Sequence, residues 1–347
     1  MLQQMESKVH ISISEEVVTY LSGFVDLSAE GNVVVSTAEI SGITLPSATN
    51  ACINLERINN IRYINKFFEH VNLQLENENI FIGCVETLSA RRARKKIGRI
   101  PVLGNIHFLV EFIFLRAFPK IFLCKKVYFS ITKGKKRLLS KAETLGRLVC
   151  CGFDIVDYHS INGILYFVVK KVRKPRYDMH PSYGLLYKMP RIGKGGKIIG
   201  VYKFRTMHPY AEYLQDYIVR ENGYNASGKP AADFRLTPWG KFFRKYWLDE
   251  LPQLLNVLKG ELKLVGVRPV SKSYFQDIPD DLKELRLNQR PGCIPPYVSL
   301  NAKGDVSSVQ QAEMHYLHEK SHHPFKTDTV YLARAIFNIL VKRKRSA

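Results

Sequence analysis

The chain is short of acid. Among its 347 residues, 31 Asp and Glu stand against 52 Lys and Arg, a formal net charge of +21. It is also short of cysteine. The six present (Cys52, Cys84, Cys124, Cys150, Cys151, Cys293) form no Cys-x-x-Cys pair. That pattern supports neither a disulfide scaffold nor a clustered zinc site, and it points to free thiols in a reducing compartment. The opening residues lack a basic start followed by an apolar run, so no signal peptide is expected. Long apolar runs are scarce too. The longest, 106–124 (IHFLVEFIFLRAFPKIFLC), carries Glu111, Arg116 and Lys120 and is interrupted by Pro119. A simple spanning helix needs roughly 20 mostly apolar residues, which this run does not supply. With 46% hydrophobic and 24% charged residues, the composition argues against a mainly disordered or multi-span chain. The length suits one large domain or two ordinary ones.

What is abundant is positive charge, and it calls for an anionic partner. Nucleic acid, anionic lipid headgroups and phosphorylated substrates all qualify. No nucleic-acid-binding motif is present, so nucleic acid is not the expected partner. Basic clusters at 91–99 and 125–137 flank the 106–124 run. Two readings of that run stay open: an interfacial or re-entrant element on an anionic membrane surface, or a buried helix of the N-terminal domain.

Residues 1–172 read as alternating strands and helices, an α/β pattern. Short apolar runs at 33–36 and 80–84 predict buried strands, and helical spacing between them predicts a helix over 58–75. A further helix over 142–150, stopped at Gly152, leads into strands at 153–158 and 164–170. That ending resembles a shortened Rossmann-like methyltransferase domain from which the Gly-rich nucleotide turn is missing. The basic, proline-containing stretch 171–177 predicts a linker, with a second domain over 173–347. The last 23 residues combine an apolar helical pattern with a basic tail, KRKRSA.

The second half carries the chemistry. Gly193, Gly195 and Gly196 predict a tight hairpin turn, with the returning strand over 198–204. That strand delivers Lys203, Arg205 and Thr206 together. Two cations and a hydroxyl make good phosphate ligands, although the same residues also suit a solvated strand face. Farther on, Leu251, Leu254, Leu255 and Leu258 share one helical face that Gly260 ends. Asp249 then reads as the helix N-cap and Glu250 as a first-turn charge. A second reading of the same pair is chemical. Adjacent carboxylates behind Arg244 and Lys245 can hold Mg²⁺ and keep one oxygen ionised to attack phosphorus.

The run LDELPQLLNVLKGELKLVGVRP, with KFRTM upstream and RPG (290–292) downstream, resembles the bacterial sugar transferase family. Its members are monotopic phosphoglycosyl transferases, with a mainly helical α+β catalytic domain, that start glycan assembly on undecaprenyl phosphate. The resemblance implies that Asp249 attacks the β-phosphate of a UDP-sugar and expels UMP. The covalent sugar phosphate then passes to undecaprenyl phosphate. It also implies that Glu250 shares the Mg²⁺ site with Asp249, and that Lys203, Arg205, Thr206, Arg244, Arg268 and Arg290 serve the phosphates. The implied setting is the cytoplasmic face of a bacterial inner membrane, in exopolysaccharide or capsule synthesis. The alternative in the same setting, an inactive scaffold of a glycan-assembly complex, needs neither Asp249 nor Glu250. Three departures stand out. The 106–124 run lies about 70 residues earlier than the family's membrane helix, VGPRP reads VGVRP, and CIPPYVSLNAKG replaces ITGWAQVNGR after Gly292.

Overall fold

A computed structural model describes residues 13–117, 122–177, 184–223 and 230–342. The Pro119 break and most of the basic tail lie outside these residues. The fold is mixed α/β and falls into two compact units. One comprises residues 1–183 and 208–221, the other 184–207 and 222–347.

The first unit begins with α1 (Glu15–Ser22), followed by β1 (Asn32–Val35), β2 (Ala51–Arg57), α2 (Ile64–Gln74) and β3 (Ile80–Val85). Then come α3 (Leu88–Arg94), α4 (Pro101–Phe112), α5 (Phe122–Thr132), α6 (Lys141–Cys150), β4 (Phe153–Ile161) and β5 (Ile164–Lys171). The sheet order is β1-β2-β3-β5-β4. Strands β1, β2 and β3 pair in parallel, and the β4–β5 hairpin adds to β3 antiparallel. Strand β2 lies inside the sheet, between β1 and β3, and is buried along its first four residues. Even its Asn54 is fully buried, where the amide satisfies both the N–H and the C=O of Thr37 at 3.0 Å, as a neighbouring strand would. One face of the sheet packs Val17, Val18 and Leu21 of α1 against Ile53, Ile82 and Val168.

The helix expected over 58–75 is shorter. Residues 58–60 form a 3₁₀ turn, and the α-helix starts at Ile64. In the 106–124 run, α4 is followed by a π-helical turn, Ile113–Ala117. Its charges turn inward: Glu111 meets Arg91 and Lys95, each at 2.6 Å, and Arg116 is buried against Glu143, also at 2.6 Å. The apolar side chains of α4 and of this turn face out, with Val102, Leu103, Ile106, Leu109 and Phe114 all at least half exposed. The buried-helix reading of this run is therefore overturned for α4. No helix among the described residues is long and apolar enough to cross a membrane. Helix α7 (Gln215–Asn222) belongs, but for its last residue, to the first unit's segment 208–221.

The second unit opens with the predicted hairpin, β6 (Leu186–Ile192) and β7 (Ile198–Phe204), joined through Gly195 and Gly196 at φ 65° and 75°. Next come α8 (Pro238–Lys245), a 3₁₀ segment (Leu248–Gln253), α9 (Leu254–Leu258) and β8 (Lys263–Val265). The unit closes with α10 (Lys272–Gln276), α11 (Asp280–Leu287), β9 (Gly292–Ile294), α12 (Pro296–Ser299), α13 (Val306–His322) and α14 (Pro324–Leu340). Strands β8 and β9 pair in parallel, so the VGVRP and RPG motifs lie side by side. A Cβ on Gly292 would come within 2.1 Å of the Gly266 nitrogen, which explains why the second motif needs a glycine there. The core sets Val265, Val267, Ile278 and Leu282 against Tyr316 and Tyr331 of the terminal helices. A second cluster packs Tyr297 and Val298 with Ala312, Ala335 and Trp247.

Candidate active site

Three local devices bring the motifs together. First, Thr237 caps α8, accepting from Gly240 N–H at 3.0 Å while its hydroxyl donates to the Thr206 carbonyl at 3.0 Å. This ties α8, which carries Arg244, to the KFRTM element. Arg244 Nε in turn donates to Thr206 Oγ1 at 3.0 Å. Second, Asn256 of α9 is fully buried against β7. Its amide donates to the Gly200 carbonyl at 2.8 Å and accepts from Tyr202 N–H at 3.0 Å, substituting for a missing strand partner. Third, Trp247 adopts a left-handed backbone (φ 62°) that reverses the chain just before the acidic pair.

The N-cap reading of Asp249 is corrected here. The helix starts two residues earlier than expected, as a 3₁₀ segment whose N-terminal flank is Trp247, and no side chain caps it. Asp249 and Glu250 lie inside that first turn. The leucine face is also not a core face: Leu251, Leu254, Leu255 and Leu258 are between 44% and 85% exposed.

The two carboxylates have opposite surroundings. Glu250 is surrounded by donors: Lys203 Nζ at 2.7 Å and Arg268 Nη2 at 3.3 Å on Oε1, and Gln253 Nε2 at 2.8 Å on Oε2. Burial pushes its pKa up, but Lys203 and Arg268 outweigh that and hold it below the usual carboxylate range. Asp249 is 6% exposed, and among the described residues its Oδ1 has no hydrogen-bond partner. Burial and the Glu250 charge raise its pKa, with Lys203 and Arg244 only partly compensating. Burial likewise lowers the pKa of both Lys203 and Arg244. A neighbouring pair with pKa values pushed apart is a common mark of catalytic carboxylates.

Lys203, Glu250 and Arg268 line an open cavity of about 400 Å³ together with Gln253, Tyr297 and Glu313. Asp249 adjoins this group through the shared charges of Lys203 and Glu250. Thr206 is buried beside Arg244. Among the described residues lining the cavity, Arg205 and Arg290 do not figure. Arg205 lies over the Tyr187 ring at 5.0 Å and donates to the Gly184 carbonyl at 3.1 Å, while Arg290 reaches the Gly260 carbonyl at 3.2 Å. Sequence reasoning missed Gln253, Tyr297 and Glu313. Gln253 had a signal, since it stands one helical turn after Glu250.

Of the two carboxylates, Asp249 is the one that suits a hard divalent ion: among the described residues its Oδ1 is a buried acceptor with no partner, whereas both Glu250 oxygens already accept from Lys203, Arg268 and Gln253. One or two carboxylates with substrate phosphates form the usual Mg²⁺ donor set. No group of three or more His, Cys, Asp or Glu that could hold a metal occurs among the described residues, so the protein offers no complete cage.

The family model for bacterial sugar transferases matches residues 167–342, half of the chain. The chain belongs to the bacterial sugar transferase family. It is 31% identical over 189 residues to the galactosyl transferase CpsE of Streptococcus agalactiae, covering 54% of this chain and 38% of that protein. It is 38% identical over 112 residues to the undecaprenyl-phosphate galactose phosphotransferase of Salmonella typhimurium, covering 31% and 23% respectively. A third relative, the exopolysaccharide production protein ExoY of Sinorhizobium fredii, is 32% identical over 140 residues, covering 38% and 61%. The chain thus spans well under half the length of the first two of these relatives.

Proposed function

We propose that the protein transfers a sugar 1-phosphate from a UDP-sugar to undecaprenyl phosphate, releasing UMP. The observation that carries this reading is the buried, unpartnered Asp249 oxygen beside a Glu250 carboxylate already neutralised by Lys203 and Arg268. In the first half-reaction, Asp249 forms a bond to the β-phosphorus. The bond from that phosphorus to the bridging oxygen breaks, and its electron pair leaves with UMP. In the second, an oxygen of the lipid phosphate attacks the same phosphorus and the aspartyl oxygen departs, restoring the carboxylate. The desolvated Asp249 is a stronger nucleophile than a hydrated one. Lys203, Arg268 and Arg244 supply fixed positive charge near the phosphates, which the transition state requires. Mg²⁺, held by Asp249 with Glu250 behind it, supplies charge neutralisation of the pyrophosphate when bound. The names of the relatives acting on undecaprenyl phosphate support the acceptor.

The catalytic domain in this reading is 173–347. The N-terminal 172 residues form a shortened Rossmann-like module, a reading supported by three parallel strands completed by an antiparallel hairpin. Helix α4 rests on the anionic cytoplasmic face of a bacterial inner membrane. Its apolar side chains point outward and its acid is paired inward, which is the arrangement an interfacial helix needs.

The test is UMP release from a panel of UDP-sugars by the full chain in detergent with Mg²⁺, with and without undecaprenyl phosphate. Lipid-dependent turnover is expected, with a phosphosugar trapped on Asp249 when lipid is withheld, and Asp249→Asn abolishes both half-reactions. A fully active Asn variant overturns the nucleophile. No release from any donor by folded, vesicle-bound protein favours the scaffold.

A further inference from the structure

Glu313 of α13 and Arg286 of α11 are buried and ion-paired with each other. Each also holds one of the two backbone polar groups of a single residue, Arg268. Glu313 Oε1 accepts from Arg268 N–H at 3.3 Å, and Arg286 Nη2 donates to the Arg268 carbonyl at 2.5 Å. The residue so gripped sends its guanidinium to Glu250 Oε1. Next in the chain is Pro269, which has no N–H, and before it stands Val267, whose carbonyl accepts from Gly292 N–H at 2.9 Å. The next backbone bond comes only at Val270, whose carbonyl accepts from Ile192 N–H at 3.0 Å, so at Arg268 itself the two charged side chains are what holds the N–H and the C=O.

A buried ion pair is weak evidence of a stability role, because an apolar pair of similar volume often serves as well. What an apolar pair cannot do is bond to the N–H and the C=O on either side of one Cα. We infer that Glu313 and Arg286 are positioning residues that clamp the Arg268 backbone at its N–H and its C=O and so aim its guanidinium at Glu250 and the substrate phosphates. The inference rests on the phosphoglycosyl transfer reading for its kinetic consequence only. The clamp itself is a matter of geometry. A loop free to shift by about 1 Å costs on the order of 100-fold in rate when it carries a transition-state ligand.

The test is the double variant Glu313→Met/Arg286→Met in the full chain, read in three ways: thermal melting, hydrogen exchange of the Arg268 amide, and UMP release. The expected result is a melting temperature within a few degrees of wild type. Exchange at Arg268 should be at least about 10-fold faster, while the Gly266 and Gly292 amides remain protected. The kcat should fall by about 10- to 100-fold. Adding Arg268→Ala should cause no further loss beyond that of Arg268→Ala alone, since the clamp acts through that side chain. A folded double variant with wild-type exchange and wild-type kcat overturns the inference. So does a further loss in the triple variant equal to that in the double. Should the double variant fail to fold, Arg286→Lys decides. It keeps a charge opposite Glu313 but cannot fork to the Arg268 carbonyl, so faster exchange and lower kcat are expected, and wild-type values for both overturn the clamp. If wild type itself releases no UMP, the function proposed above fails. Exchange at Arg268 still settles the clamp.

Discussion

Lys203 Nζ and Glu250 Oε1 stand 2.7 Å apart, joining the end of a hairpin strand to the 3₁₀ turn that carries the acidic pair. Both side chains are mostly buried, so neither charge is tolerable without the other. Lys203→Met should lower stability by about 3 kcal/mol. It should also reduce turnover by about 100-fold, as expected for a lost transition-state cation. Urea denaturation and UMP release check the two effects separately. Unchanged turnover in the folded variant would remove Lys203 from the site.

Asn256 provides the test of the scaffold. Asn256→Ala leaves the Gly200 carbonyl and the Tyr202 N–H without their buried partner, a loss of about 3 kcal/mol. Asn256→Asp keeps the acceptor but sets a buried carboxylate against the Gly200 carbonyl and the Glu261 carboxylate, to which the native amide donates at 2.6 Å, so it should cost at least as much. Equal stability of all three proteins would show that β7 is held by packing alone.

Lys263 gives the protein a pH signature away from the acidic pair. Its amine lies 3.3 Å from the Tyr316 hydroxyl and 3.8 Å from Asp328. Burial, helped by the Lys320 and Arg290 charges and opposed by Asp328, brings its pKa down from 10.5 to about 8. The folded state therefore binds this proton more weakly than the unfolded chain does. Below about pH 8 the burial cost is fully present, and between 8 and 10.5 it is relieved. Wild type should gain a few kcal/mol at most on Lys263→Met between pH 7 and 10. Parallel stability curves for the two proteins would refute the assignment.

Leu109→Glu/Phe114→Glu tests the membrane reading. Both side chains are at least half exposed, so the double variant should fold as wild type does. Its partition onto vesicles containing phosphatidylglycerol should drop by more than about 10-fold, the transfer energy of two large apolar groups. Undiminished vesicle binding would move the attachment to another surface.

Much of this was written in the sequence where local chemistry decides local structure. The strand 198–204 and its glycine turn were legible in full, because turn residues and β-branched residues agreed. The helix before Gly152 and the two strands after it were equally clear. Strand β2 was not. It is buried on both faces and carries a polar Asn54, so no alternation marked it. The helix start at Asp249 was misread because capping grammar assumes a β-region residue before the helix, whereas a left-handed Trp247 stands there. The acidic pair and Lys203 were recognisable from motif order. Glu313 was not, since its partners, Arg286 of α11 and the Arg268 backbone, are 27 and 45 residues away and a lone glutamate in a helix looks solvated.

Trp247 carries one more consequence. A bulky residue resists a left-handed backbone, and this one is held there by a side chain packed with Tyr297 and Val298. Those two belong to the stretch after Gly292 where this chain parts from the family pattern. The turn that sets Asp249 in place thus leans on packing from a part of the chain more than forty residues away. Substitutions in 293–304 should shift the acidic pair while its motif is spelled the same.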